Sequence, residues 1–272
     1  MSAAPNSCFG GVQIGVITYS YRSMPCTGEA VLKHVLECGI SSIELMGSTI
    51  EQYAGAPDKD IDDGAALLDW RTSVSMTPFE ELRKMYNDAG VNIYIAKFGD
   101  IGNPGMPDAQ IEYYFNAAKA LGAKGITREL SEEAAEKVGP MADEAGVIVG
   151  FHNHTQMTAT TYDSGMLSHG KNLMVNLDIG HYVAGTSSSP IAMIEKYQDR
   201  ILSLHLKDRK VNNGPNMPFG QGDTPVSIAL QYVKQNGLTF PADIELEYPI
   251  PEDSDAVKEV ATCVNFCKEA LA

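Results

Sequence analysis

The chain has 272 residues, of which 44% are hydrophobic and 20% charged, proportions typical of a globular protein. Its 35 acidic residues outnumber the 20 basic ones, and the resulting net charge of −15 repels phosphate backbones, so nucleic acid is not an expected partner. No apolar run approaches the roughly 20 residues that a membrane-spanning helix needs.

Short runs rich in β-branched residues recur along the chain, each followed by a polar cluster and then by a segment with helical periodicity. The predicted strands cover residues 12–20, 40–47, 91–99, 123–130, 147–154, 173–181, 201–208 and 242–249. The predicted helices cover residues 28–39, 77–90, 108–122, 131–146, 189–199, 224–237 and 255–271. Several helices open on Ser, Thr or Asp and close on Gly, which are the expected caps.

This alternation of strands and helices predicts parallel βα units, and a count of eight strands favours a closed (β/α)8 TIM barrel of class α/β. The length suits one domain over residues 1–272. No G-x-G-x-x-G follows the first strand, which counts against a dinucleotide-binding fold. Pro140 is expected to kink or break its helix. Residues 47–77 and 209–222 are predicted as long irregular loops on the functional rim of the barrel.

The five cysteines are odd in number and contain no C-x-x-C pair, so we expect free thiols in a reducing compartment. The start of the chain has no apolar signal core, which favours a cytoplasmic protein. A periplasmic protein whose leader has been removed stays open as an alternative.

Polar residues gather where the predicted strands end, and in a barrel these ends converge on one mouth. Most of the histidines, several acids and one lysine are placed there: Glu129, His152, His154, Asp178, His181, His205, Lys207, Asp208, Glu245 and Glu247. Converging carboxylates and imidazoles repel or desolvate one another unless a cation lies among them. The sequence therefore predicts one divalent metal ion. Mixed oxygen and nitrogen ligands suit Mn²⁺, Co²⁺, Mg²⁺ or Zn²⁺.

Structural roles compete with these functional ones. His34 and His169 are interpreted as hydrogen-bonded structural residues. Glu245 and Glu247 lie two apart on one strand face, so both enter the mouth or both face the helices. Glu44 is either a substrate contact or a buried ion-pair partner at the barrel floor. Trp70, the only tryptophan, either stacks on a sugar or packs in its loop.

Five segments, in this order and spacing, resemble the xylose isomerase-like TIM barrel superfamily. They are "GVIVGFHNH", "NLDIGHYVAG", "HLKDRK", "FGQGD" and "GLTFPADIELE". The resemblance covers nearly the whole chain. It implies a metal-dependent sugar enzyme, because the superfamily holds sugar isomerases and epimerases, inosose dehydratase and a family of AP endonucleases.

Residue by residue, the resemblance implies that Asp178, His205 and Glu245 are metal ligands. It places His181 near the metal or the substrate and Lys207 toward the substrate, and the doublet of Glu245 with Glu247 is similar to the E-x-E of inosose dehydratases. Many superfamily members carry a glutamate on strand 5, where this chain has His152. That departure leaves Glu129 as the expected fourth ligand.

The leading hypothesis is a sugar or keto-sugar isomerase or epimerase that works through an enediolate. His152 is the first candidate for the base, with His154 beside it and Lys207 or His181 returning the proton. Loss of a β-oxygen from the same intermediate would instead make the enzyme a dehydratase or lyase acting on a keto-sugar, keto-inositol or 3-keto-glycoside. Glu247, Asp208, Glu44 and Trp70 are the candidate substrate contacts. Barrels of this kind often pair, so a homo-oligomer stays open.

Two hypotheses from other functional classes stay open. An AP endonuclease-like phosphodiesterase would need extra histidines on strands 2 and 3 and a basic groove, whereas these strands offer Glu44, Met46 and Lys97. A non-catalytic sugar-binding barrel is favoured by the missing strand 5 glutamate. It is disfavoured by the intact set of Glu129, Asp178, His205 and Glu245.

Overall fold

A computed structural model describes residues 4–57, 64–163 and 165–272. Within these residues, eight parallel strands form a closed barrel, as predicted. The strands are β1 (Val12–Ile17), β2 (Ser42–Met46), β3 (Asn92–Lys97), β4 (Gly125–Glu129), β5 (Ile148–His152), β6 (Leu173–Asp178), β7 (Ile201–Leu206) and β8 (Ala242–Ile244). Each strand pairs with the next, and the barrel closes where β8 pairs with β1 through Ala242 and Ile14. All eight predicted strands are confirmed, with shorter ends.

Helices surround the barrel. Among the described residues the α-helices are α1 (Gly28–Glu37), α2 (Gly47–Tyr53), α3 (Ala65–Ser73), α4 (Thr77–Asp88), α5 (Asp108–Ala120), α6 (Glu132–Ala145), α7 (Ile179–Thr186), α8 (Ile191–Tyr197), α9 (Val226–Gln235) and α10 (Ala256–Ala270). The side chains of Thr27, Ser131, Asp178 and Asp255 accept a backbone hydrogen bond at the start of α1, α6, α7 and α10. These caps satisfy N–H groups that have no partner inside the helix.

The expected break at Pro140 is wrong, because α6 runs through this residue without interruption. A proline inside a helix clashes with the carbonyl four residues earlier and leaves it without a donor. Pro140 and Glu136 are both exposed. The freed carbonyl of Glu136 therefore lies on the solvent side, where water can satisfy it.

The predicted irregular stretch over residues 47–77 is also corrected, because it contains α2 and α3. Residues 58–63 of this stretch lie outside the described part of the chain. The stretch 209–222 is partly ordered by a small antiparallel ribbon, in which Asp208–Arg209 pairs with Asn216–Met217. Both stretches follow the carboxyl ends of strands, as expected of rim segments.

The cysteines are free thiols, as predicted. Among the described residues there is no helix with the length and apolar content that crossing a bilayer requires.

Candidate active site

The carboxyl ends of the strands enclose a cavity of about 240 Å³. Its lining residues are Ile17, Tyr19, Met46, Lys97, Glu129, His152, His154, His205, Glu245 and Glu247. The structure therefore brings many of the polar residues singled out in the sequence to one mouth. Glu245 and Glu247 both face this cavity, so the alternative in which the pair faces the helices is not what the structure shows.

Four buried side chains at the mouth form a group that could hold a metal ion. One nitrogen or carboxylate oxygen from each of His152, Asp178, His205 and Glu245 lies within 4.8 Å of the others. Oδ1 of Asp178 caps α7 by accepting from the backbone N–H of His181, at 2.6 Å. Its other oxygen, Oδ2, is buried without a hydrogen-bond partner. Nζ of Lys207 lies 3.1 Å from this oxygen as an ion-pair contact. A buried carboxylate oxygen that makes no hydrogen bond is costly, and the donor set therefore fits a divalent cation.

His152 is held in one orientation by a buried amide. Its Nδ1 donates to Oδ1 of Asn176 at 2.7 Å, and Nδ2 of Asn176 donates to the hydroxyl of Ser203 at 2.6 Å. Burial lowers the pKa of His152 well below its ordinary value, and the charge of Lys97 lowers it further. His152 is thus a neutral imidazole with Nε2 left as its electron-pair donor.

His205 lies wholly inside the barrel between two carboxylates. Nε2 donates to Glu44 at 2.8 Å and Nδ1 donates to Glu245 at 2.9 Å. Burial acts to lower the pKa of His205, but the charges of Glu44 and Glu245 outweigh it and raise this pKa well above the usual value. Glu44 is fully buried and also accepts from the hydroxyl of Thr127 at 2.5 Å. Glu44 is therefore placed as the buried ion-pair partner considered above, and it is not among the described residues that line the cavity.

Lys207 places a buried ammonium beside the same carboxylates. Its Nζ lies 2.6 Å from Glu247 and 3.1 Å from both Asp178 and Glu245. Burial acts to lower the pKa of Lys207, but the three carboxylates outweigh it and raise this pKa above the usual value. Lys207 is therefore charged and neutralises part of the acidic mouth.

Glu129 joins two other mouth residues. It accepts from Nζ of Lys97 at 2.7 Å through Oε1 and from Nε2 of His154 at 2.7 Å through Oε2. Burial acts to raise the pKa of Glu129, but His154 and Lys97 together lower it well below the usual range. The hydrogen bond to Glu129 in turn raises the pKa of His154. Because both oxygens of Glu129 are engaged here, the geometry favours His152 as the fourth member of the metal-ligand group.

His181 faces two cationic donors. Nζ of Lys207 donates to its Nε2 at 2.9 Å, and Nη1 of Arg209 lies 2.8 Å from its Nδ1. A neutral imidazole has one acceptor nitrogen, so one of these contacts at a time is a hydrogen bond. His152, His154 and His181 form a second possible ligand group. It contains no carboxylate and no unpartnered oxygen, so the group with Asp178 fits a divalent cation better.

Two predicted substrate contacts lie elsewhere. The carboxylate of Asp208 accepts backbone hydrogen bonds from Gly220, Gly222 and Thr224 at 2.8–3.1 Å and so shapes the loop after β7. Trp70 packs edge-on against Tyr113, with ring centroids 5.8 Å apart, as its packing alternative requires. Neither Asp208 nor Trp70 is among the described residues that line the cavity.

The sequence reasoning missed Tyr19, Asn176 and Asp243. Tyr19 follows β1 in the sequence and lines the cavity. Its position at the carboxyl end of this strand could have indicated it. Asn176 interrupts an apolar strand two residues before Asp178, on the same face. Asp243 is buried below Glu245, where burial and the charge of Glu44 raise its pKa to about 8. It forms a further possible ligand group with Glu44 and His205.

The closed eight-stranded barrel, with a polar mouth at its carboxyl ends, defines an α/β protein of the TIM-barrel class. The sequence profile of the xylose isomerase-like TIM barrel family matches residues 32–267. The chain therefore belongs to this family, which confirms the resemblance inferred from its motifs.

Relatives of the chain differ in their named activities. Inosose dehydratase of Clostridium beijerinckii is 25% identical over 223 residues, covering 72% of this chain and 71% of the relative. Among solved structures, a probable 3-DHS dehydratase of Bacillus anthracis has a TM-score of 0.69 at 14% identity, covering 93% of this chain and 97% of that one. A sugar phosphate isomerase/epimerase of Parabacteroides distasonis has a TM-score of 0.62 at 21% identity, covering 94% and 97%. At these identities the structural likeness shows the fold alone.

Proposed function

We propose that this protein is a metal-dependent enzyme that removes a proton next to the carbonyl of a sugar or keto-sugar. The observation that carries the proposal is the group of four buried ligand residues, His152, Asp178, His205 and Glu245. His152, His205 and Glu245 also line the mouth cavity. Membership of the xylose isomerase-like TIM barrel family supports it.

The residues that would hold the ion are Asp178, Glu245, His205 and His152. A divalent cation in this position would polarise the substrate carbonyl and stabilise negative charge on its oxygen. Mn²⁺, Co²⁺, Mg²⁺ and Zn²⁺ all suit two carboxylates and two imidazoles. His205 would keep its Nε2 hydrogen bond to Glu44 and use Nδ1 as the ligand atom, because carboxylate partners fix the tautomer of metal-binding histidines.

Proton transfer is assigned to His154 with Glu129. The side chain of His154 is half-exposed to the cavity, and its bond to Glu129 fixes the ring. His152, the first candidate for the base, has one nitrogen tied to Asn176 and the other in the metal-ligand group, so it is assigned as a ligand. Lys207 and His181 lie 2.9 Å apart, with the His181 ring centroid 4.8 Å from that of His154, and would bind the substrate oxygens.

Return of the proton to the neighbouring carbon gives isomerisation, and return to the opposite face of the same carbon gives epimerisation; these two outcomes are the leading assignment. A second candidate is dehydration, favoured by the relationship to an inosose dehydratase. In that case the C–H electron pair forms the new double bond, the β-hydroxyl leaves, and a protonated His154 supplies the proton that makes it water. The raised pKa of His154 suits this acid role.

The test has two parts. The first measures bound Mn, Co, Mg and Zn in the wild-type protein and in Asp178→Asn. His169→Gln is the matched control, because His169 bonds to Glu132 away from the mouth. We expect about one equivalent of metal in the wild type and in the control, and loss of metal in Asp178→Asn with the fold retained.

The second part incubates keto-sugars with the protein in D₂O and follows deuterium by NMR. Exchange next to the carbonyl without water loss indicates isomerisation or epimerisation, whereas an unsaturated product indicates dehydration. A wild-type protein that binds no metal and catalyses no exchange across the panel would overturn the proposal and leave a non-catalytic barrel.

A further inference from the structure

A second cavity of about 370 Å³ adjoins the mouth cavity. The two share Met46, Lys97 and Glu129 as lining residues. The second cavity, here called the side groove, continues along the start of α2 and the loop after β3, where Gly99 and Asp100 line it together with Arg71 of α3. The ligand space at the mouth therefore has two connected parts.

The mouth cavity alone is small for a ligand site. Its 240 Å³ lies below the range of about 300–1,000 Å³ that is common for small-molecule sites. The side groove is larger than the cavity it joins. A ligand that fills both parts would be larger than a single compact sugar ring.

The charges of the side groove do not favour an anion. Its two cations are already paired, since Arg71 makes a bidentate contact with Glu51 at 2.7 and 2.9 Å and Lys97 donates to Glu129 at 2.7 Å. Three carboxylates, those of Glu51, Asp100 and Glu129, line the groove with these two cations. A phosphate group would therefore meet a net negative surface.

The same residues suit neutral hydroxyl groups. Nη1 of Arg71 lies 3.9 Å from Oδ2 of Asp100, which is an ion-pair contact too long for a hydrogen bond. The side chain of Asp100 is 46% exposed. A donor and an acceptor at this spacing can bind neighbouring hydroxyls, one accepting from Arg71 and the other donating to Asp100.

We propose that the side groove binds the second part of a two-part, uncharged substrate, such as the second ring of a disaccharide or the aglycone of a glycoside. This assignment rests on the proposed function, because the first ring is taken to lie at the ligand group of the mouth. The specificity of the enzyme is then for glycosides in preference to free sugars or sugar phosphates.

Gly99 lies in the loop after β3 beside Lys97 and Glu129 and offers a way to block the groove. A Cβ at this position would lie 3.7 Å from Cε of Lys97 and 3.9 Å from Oε1 of Glu129, which are ordinary contacts. Gly99→Ala is therefore the matched control, and Gly99→Leu extends a side chain into the groove. Asp100→Asn is an independent variant that keeps the shape of the groove and an oxygen for Tyr114, which donates to Asp100 at 3.0 Å.

The experiment measures binding by calorimetry to the metal-loaded protein. The probes are fructose, the ketose disaccharides maltulose and lactulose, and fructose 6-phosphate. We expect at least one disaccharide to bind about tenfold more tightly than fructose, as one or two additional net hydrogen bonds would provide. Gly99→Leu should reduce this affinity to that of fructose, Asp100→Asn should reduce it in part, and Gly99→Ala should leave it unchanged. Fructose itself should bind all variants equally.

The outcomes separate the two proposals. Fructose binding that equals or exceeds disaccharide binding overturns the side groove but leaves the proposed function intact. Tightest binding of fructose 6-phosphate, or a disaccharide preference that survives Gly99→Leu, also overturns the side groove alone. Failure of every probe to bind the metal-loaded protein overturns both.

Discussion

Glu129 accepts a hydrogen bond from His154 across the mouth of the barrel, with Oε2 and Nε2 2.7 Å apart. This contact joins the end of β4 to the segment after β5. It raises the pKa of His154 and lowers that of Glu129. The two side chains therefore form a hydrogen-bonded pair that faces the cavity and in which protonation of His154 is favoured.

The first prediction concerns this pair. Glu129→Gln should lower the pKa of His154, because the carboxylate that stabilises the imidazolium is gone; an NMR titration of the ring protons measures it. The wild-type pair stabilises the fold fully below the pKa that histidine has in the unfolded chain, and this contribution is lost as pH rises through the higher folded pKa. His169→Gln is the control for the NMR assignment. An unchanged pKa of His154 would contradict the assigned bond.

The second prediction concerns Glu44. Glu44→Ala leaves His205 with one carboxylate inside the barrel, and breaking a buried pair costs about 3–5 kcal/mol of the free energy of unfolding. Glu44→Gln keeps an acceptor for His205 and should cost less. Urea denaturation of the metal-free proteins measures both values. Equal stability of Glu44→Ala and the wild type would show that the contact contributes little.

The third prediction separates the two roles considered for His152. As a metal ligand, its replacement in His152→Ala should weaken metal binding, which calorimetry measures directly. As a base alone, its loss would leave metal affinity unchanged and reduce turnover by about 10²–10⁴. We expect the first result. Asn176→Ala, which frees the ring of His152, should weaken metal binding to a smaller extent.

The fourth prediction concerns metal removal. A ligand that binds only the folded state stabilises it, so EDTA should lower the melting temperature of the wild-type protein. Asp178→Asn should melt at one temperature with or without EDTA. A wild-type melting temperature that is the same with and without EDTA would count against the metal-ligand group.

The fifth prediction concerns Asp208, which orders the loop after β7 and does not line the cavity. Asp208→Ala removes the acceptor of three backbone N–H groups and should lower the free energy of unfolding by about 1–3 kcal/mol. Metal content should not change. Loss of metal in this variant would contradict this role and indicate that Asp208 contributes to the metal site at the mouth.

The strands could be predicted from the sequence because their runs of β-branched residues are distinct and evenly spaced. The convergence of Asp178, His205 and Glu245 followed from the barrel, since parallel strands that close must bring their carboxyl ends together. The helices over residues 47–77 could not be predicted, because α3 has only a few buried residues and thus no clear apolar face.

Side-chain direction limited the prediction of the site. Lys207 and Asp208 are adjacent, and only the first faces the carboxylates, while the second turns to the backbone of its own loop. The choice between His152 and Glu129 depends on which partners take their polar atoms, and these partners come from other strands. The hydrogen bond between His152 and Asn176 and the one between Lys97 and Glu129 each join two different strands. No single segment of the sequence therefore indicates them.

The ammonium of Lys207 has a consequence for how the chain folds. Asp178, Glu245 and Glu247 would repel one another in a newly made chain if no positive charge lay between them. Lys207 supplies that charge from within the polypeptide, at distances of 2.6–3.1 Å. The barrel can therefore close with these carboxylates already neutralised in part, and binding of the proposed ion would be a step separate from folding.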